Sequence, residues 1–158
     1  MSTRGLTERD GVSLMKPMPE LDAVLTRAVR LGVFGTKMRS VINPPSKNAI
    51  AAVVTQQFDA AARIAEHGLM PIIEPEVSIK SPDKAGAQAI LLAELTKKLD
   101  ALPNRSQVML KLTIPDVPDL YAPLVNHDRV TGVVALSGGY TRVDACKRLS
   151  ANHGMIAS

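Results

Sequence analysis

Along this chain, runs of apolar and β-branched residues alternate with stretches whose apolar positions recur every three or four residues, and glycine or proline separates one kind from the next. Gly11-Val12-Ser13-Leu14-Met15 is a short strand candidate behind a polar opening segment, Met1 to Asp10, that is expected to lack order. From Glu20, the positions Leu21, Val24, Leu25 and Ala28 follow helical spacing, and Gly32 suits a C-terminal cap. Val33 to Ile42 reads as a strand that carries Lys37 and Arg39 on one face. Asn43-Pro44-Pro45-Ser46 predicts a turn. Ile50, Val53, Val54, Phe58, Ala61 and Ile64 then mark an amphipathic helix that stops at Gly68, with His67 in its last turn.

Leu69 to Val77 is the next strand candidate, and Glu74 and Glu76 share one of its faces. Ser81-Pro82-Asp83 opens a helix, with serine as the cap and proline in the first turn; Leu91, Leu92, Leu95 and Leu99 form its stripe, and Pro103-Asn104 ends it. Val108 to Ile114 is a strand. Behind Pro115-Asp116-Val117-Pro118 comes a short helical segment near residues 119–126. Val130 to Ser137 is a strand entering Ser137-Gly138-Gly139-Tyr140, Thr141 caps a last helix through Leu149, and Gly154 to Ser158 starts another strand. Strands alternating with helices predict a parallel sheet with right-handed crossovers.

In Val108-Met109-Leu110-Lys111-Leu112-Thr113-Ile114 a single lysine stands at the centre of an apolar strand. A strand buried on both faces has no water for an ammonium, so such a lysine snorkels to solvent, finds a carboxylate or loses its proton. The third outcome is what an amine nucleophile needs to attack a ketone and form a Schiff base, and a neighbouring cation favours it.

Spacing ties this lysine to the other charged strand positions. Lys37 to Glu74 and Glu74 to Lys111 are each 37 residues, and Lys111 to Ser137 is 26. A (β/α)8 barrel spends about 250 residues on eight strand–helix units, roughly 30 each, so these residues are expected late in successive strands, where such a barrel places its active site. Ion pairs filling a barrel interior are the alternative reading.

Composition narrows the class. The 158 residues are 46% hydrophobic and 22% charged, as in a globular domain, with aromatics at 3%. No apolar run approaches the ~20 residues of a membrane helix, so no membrane span is expected. The net charge of +4 comes from scattered lysines and arginines, without basic blocks or interleaved aromatics, which argues against nucleic acid. The single cysteine, Cys146, cannot form an internal disulfide and is expected to pack as a small apolar group. With no signal-peptide pattern, a cytoplasmic location is expected. His67, His127 and His153 lack ligand spacing and read as surface groups near helix ends.

Four segments, Gly35-Thr36-Lys37-Met38-Arg39-Ser40, Pro71-Ile72-Ile73-Glu74-Pro75-Glu76-Val77, Leu110-Lys111-Leu112-Thr113-Ile114-Pro115 and Leu136-Ser137-Gly138-Gly139-Tyr140, resemble consecutive signatures of the bacterial-type class I fructose-bisphosphate aldolases. The resemblance runs from about Gly11 to Ser158. It implies metal-free cleavage of fructose 1,6-bisphosphate to dihydroxyacetone phosphate and glyceraldehyde 3-phosphate, without a cofactor. Lys111 would be the Schiff-base lysine, Glu74 the acid/base glutamate, Glu76 its companion and Lys37 the second lysine. Arg39 would bind substrate, and Ser137, Gly138 and Gly139 would bind phosphate. Backbone N–H groups of a Ser-Gly-Gly turn suit that last role, because glycine lets the chain approach an anion closely.

The family fold is a complete eight-stranded barrel. This chain is expected to hold about strands 4 to 7 with their helices and the start of strand 8, as an α/β partial TIM barrel over residues 11–158. It would lack the first strands, where the family carries a substrate-binding aspartate and a further lysine, and the final strand's phosphate-binding arginine. A partial barrel leaves open edges, so self-association or a complementing chain is expected to close it. Three readings follow: an aldolase, a non-catalytic remnant that binds sugar phosphates through Arg39 and Ser137, or a basic interaction module.

Overall fold

The computed structural model describes residues 3–5 and 11–158, the former as backbone only. Seven strands form one sheet in chain order: β1 (Thr3–Gly5), β2 (Val12–Met15), β3 (Gly35–Ile42), β4 (Met70–Val77), β5 (Val108–Thr113), β6 (Val130–Leu136) and β7 (Met155–Ala157). The helices are α1 (Leu21–Arg30), α2 (Lys47–Glu66), α3 (Lys84–Asp100), α4 (Ala122–Val125) and α5 (Arg142–Leu149). From β3 to β7 every neighbouring pair is parallel, each connected through a helix, as the alternation of sequence patterns predicts.

The start of the chain departs from that expectation. β1 and β2 are antiparallel, and β2 is antiparallel to β3 over Val12↔Ile42 and Ser13↔Val41 only. Beyond that pairing with β3, the Gln56 side chain of α2 takes both the N–H and the C=O of Met15, at 2.8 and 2.9 Å, while Met15 stays registered with Thr3 of β1. Of the segment 1–10 expected to lack order, Thr3–Gly5 forms β1, and the rest lies outside the described residues.

Strand alternation divides the sheet into an apolar face and a polar one. Met38 and Ile42 of β3, Ile73 and Val77 of β4, Leu110 and Leu112 of β5 and Val133 of β6 are buried in a single core. Ile50, Val53, Val54, Phe58, Ala61 and Ile64 of α2 and Leu91, Leu95 and Leu99 of α3 join them, at the spacings read from the sequence. Ser46 caps α2 by accepting from the Ala49 N–H. Asp22 in the first turn of α1 bonds Arg63 of α2 and His67 at its C-cap, and these two hydrogen bonds, Arg63 first, hold its carboxyl below the usual carboxylate range.

Two local expectations are corrected. Asp83 rather than Ser81 caps α3, accepting from the Gly86 N–H at 2.8 Å; a carboxylate directly before the helix also meets the positive end of its dipole. The Ser81 hydroxyl is buried without a partner among the described residues. Cys146 is exposed rather than packed, because α5 buries none of its residues against the sheet. Thr141 does cap that helix. No described helix is long and apolar enough to cross a membrane.

Leu110→Ala removes a fully buried side chain at the centre of the core and is expected to lower stability by about 2–5 kcal/mol. Val143→Ala, at a position 78% exposed, is expected to stay within about 0.5 kcal/mol of the wild type. Urea unfolding of both variants checks the assignment of these two surfaces.

Candidate active site

The polar side chains that alternate with the core residues of β3, β4 and β5 stand on the opposite face of the sheet. Register brings them together: Arg39 lies beside Glu74, and Val41 beside Glu76. Each cation reaches two residues further along the neighbouring strand than its own register partner. Lys37, registered with Ile72, bonds Glu74 Oε2 at 2.7 Å through Nζ. Arg39, registered with Glu74, donates from Nε to Glu76 Oε2, also at 2.7 Å. Both partners are 37 residues apart in sequence, so one strand–helix–strand unit of fixed length places both pairs.

Lys111 completes the group from β5. Its Nζ lies 3.7 Å from Glu74 Oε1, so the two oxygens of one carboxylate face two different lysines. The Glu74 side chain is only 4% exposed, against 50% for Lys37 and 24% for Lys111. A carboxylate that dry needs opposite charge, and two ammonium groups supply it. The Arg39 guanidinium, hydrogen-bonded to Glu76, is held even above its ordinary high pKa and stays charged.

These positions correct two expectations. β5 is not buried on both faces: Lys111 points to the open side of the sheet and meets a carboxylate there. Nor do Lys37, Glu74 and Lys111 stand late in their strands. Lys37 is third in β3, Glu74 fifth in β4 and Lys111 fourth in β5. They therefore lie at mid-strand.

The Ser137-Gly138-Gly139 segment lies just past the end of β6. Since Lys111 is registered with Val134, Ser137 is three residues further along the neighbouring strand, roughly 10 Å at about 3.3 Å per residue. Gly138 and Gly139 have φ of 64° and 115°, a region that L side chains rarely enter. A Cβ on Gly138 would stand 2.9 Å from Ile79 Cγ2 and 3.3 Å from Thr113 Cγ2, so the loop lies directly on the ends of the two preceding strand units.

Helix-borne side chains that the sequence reading did not single out support this geometry. Gln57, fully buried on α2, accepts from the Glu74 N–H at 2.8 Å and fixes the backbone that carries the carboxylate. On α3, Lys84 and Gln88 are one turn apart and both are buried. Lys84 Nζ donates to Ile114 O at 2.8 Å and to Asp116 Oδ1 at 2.7 Å, while Gln88 donates to Thr113 O and Ile114 O and accepts from the Asp116 N–H. A signal was present: residues 84 and 88 continue the stripe of Leu91, Leu95 and Leu99, and 57 falls within that of α2. A polar residue in phase with a buried stripe is one whose hydrogen bonds must be made inside. The three histidines each face a single carboxylate, His67 with Asp22, His127 with Asp100 and His153 with Asp119. Among the described residues no group of three or more His, Cys, Asp or Glu could hold a metal ion.

In sequence, the chain is 51% identical over 151 residues to a protein of Synechocystis sp. named fructose-bisphosphate aldolase class 1; the match covers 96% of this chain and 50% of that protein. Proteins of the same name in Clostridium acetobutylicum and Porphyromonas gingivalis are 48% and 50% identical, over 98% and 96% of this chain and 53% and 51% of theirs. The chain thus spans about half the length of the curated relatives it matches. No family model matches it.

Gln57→Leu leaves the Glu74 N–H buried without its acceptor and is expected to cost about 1–3 kcal/mol. For a chain of this size each kcal/mol corresponds to about 2–4 °C, so calorimetry of the variant reads the contribution directly.

Proposed function

The chain is a homologue of the class 1 fructose-bisphosphate aldolases, spanning about half their length, and on that premise we propose that it carries the amine-catalysed site of a fructose-bisphosphate aldolase. The single observation that supports this most is the Glu74 carboxylate placed between Lys111 and Lys37.

Lys111 Nζ is the nucleophile. It gives a proton to Glu74, adds as a free amine to the C2 ketone of fructose 1,6-bisphosphate and forms a carbinolamine. Glu74 returns that proton to the departing hydroxyl, water leaves, and a protonated imine joins Lys111 to C2. The iminium is the electron sink for cleavage of C3–C4. As Glu74 takes the proton of the C4 hydroxyl, glyceraldehyde 3-phosphate departs and an enamine remains. Protonation at C3 and hydrolysis then release dihydroxyacetone phosphate and restore the amine. Lys37 keeps the acid/base carboxylate in place, and Glu76 orients Arg39 toward substrate. The ~10 Å from Lys111 to Ser137 along the sheet suits a three-carbon unit ending in phosphate on the backbone of Ser137, Gly138 and Gly139.

β3 to β7 are assigned as strands 4 to 7 and the start of strand 8 of a (β/α)8 barrel, with the lysine–glutamate face as its interior. Lys37, half exposed on that face, and Ile156, exposed in the edge strand β7 and registered with Val134, argue that further polypeptide, either a second copy or a complementing chain, covers this side. Sugar phosphates are the small-molecule partners.

A coupled assay of dihydroxyacetone phosphate release tests this reading. Lys111→Met is expected to abolish cleavage of fructose 1,6-bisphosphate, and Glu74→Gln to slow it by about 10²–10⁴-fold, the usual scale of a lost acid/base group. Cleavage by Lys111→Met at the wild-type rate would contradict it.

A further inference from the structure

We propose that Tyr140, whose ring both Lys84 and Arg148 contact, is the positioning residue of the Ser137-Gly138-Gly139 loop, and that Lys84 and Asp116 tie this loop to the end of the Lys111 strand. The importance of this device for phosphate binding rests on the reading given under Proposed function; the device itself does not.

The Lys84 side chain is 5% exposed, so its ammonium must direct all three donors at partners inside the protein. Ile114 O and Asp116 Oδ1 take two, at 2.8 and 2.7 Å. The third direction is answered by the Tyr140 ring, whose centroid is 5.5 Å from Nζ, within the range of a cation–π contact. Arg148 of α5 covers the same ring at 4.1 Å and donates to the same Asp116 Oδ1 at 3.2 Å. One aromatic ring and one carboxylate therefore share two cations, one from α3 and one from α5.

Both shared groups are sequence neighbours of the site. Tyr140 directly follows Gly139, and its N–H donates back to Ser137 O at 3.2 Å, closing the glycine turn. Ile114 directly follows the Lys111 strand and Asp116 lies two residues further on, and the Ile114 N–H donates to Leu136 O at 3.2 Å, one residue before Ser137. The glycines leave the loop backbone the widest conformational freedom of any residue type. Clamping the ring next to them restricts that freedom without placing a side chain in the space an anion would take.

Amide hydrogen exchange tests the clamp, with the N–H groups of Tyr140, Ile114 and Asp116 as reporters and inorganic phosphate as the ligand probe. Tyr140→Leu removes both cation–π contacts while leaving the Lys84–Asp116 pair. It is expected to accelerate Tyr140 exchange and to weaken phosphate by about tenfold or more, the effect of losing roughly 1.4 kcal/mol of pre-organisation. Tyr140→Phe keeps the ring and is expected to match the wild type in both. Lys84→Met is expected to accelerate all three reporters. Tyr140→Leu with wild-type exchange, or Tyr140→Phe as fast as Tyr140→Leu, would overturn the clamp. If the wild type binds no phosphate while exchange responds as expected, the clamp stands and the phosphate-loop assignment falls.

Discussion

A carboxylate buried to 4% exposure and shared by two lysines is the constraint on which this structure depends. Burying a carboxylate there is costly unless β3 and β5 flank β4 in register and each delivers a cation at the right depth. Those requirements explain the repeated 37-residue spacing, the diagonal reach of Lys37 and Arg39, and Gln57 pinning the backbone at Glu74 from the helix side. The chemistry proposed for the site uses the same arrangement: an amine that must lose a proton stands next to the group that can take it.

Fold and site come from a single two-residue alternation. In β4, Ile73 and Val77 turn to the helices and disappear into the core, while Glu74 and Glu76 turn the other way. In β5, Leu110 and Leu112 do the same on either side of Lys111. A one-residue slip of either strand would exchange core and charged cluster together, so hydrophobic burial on one face enforces the geometry of the charged residues on the other. The helices contribute beyond apolar packing, since Gln57, Lys84 and Gln88 take up backbone groups of the strands and loops that bear the charged residues.

Much of this was legible before any coordinates. Charges inside apolar runs are conspicuous, so Lys37, Arg39, Glu74, Glu76 and Lys111 could be named, and period-two alternation put them on common faces. Their depth was not legible, because strand ends are set by neighbours and not by local pattern: Lys37, Glu74 and Lys111 lie mid-strand rather than late. The antiparallel run of β2 escaped for a related reason, as four residues carry no direction of pairing. Cys146 lies on a helix with an apolar stripe, but whether anything covers that stripe is a tertiary fact. Ser81 was read as the cap of α3, but which residue serves depends on where the helix begins, and it begins after Asp83. Lys84 and Gln88 went unnamed, although both are polar residues in phase with a leucine stripe.

The most direct measurement is borohydride reduction of the folded chain in the presence of dihydroxyacetone phosphate, followed by peptide mass mapping. The account predicts one stoichiometric adduct, on Lys111, with Lys37 and Lys84 unmodified. An absence of adduct on soluble, folded protein, or labelling spread over exposed lysines, would contradict the claim that Glu74 and its two cations form a working amine site.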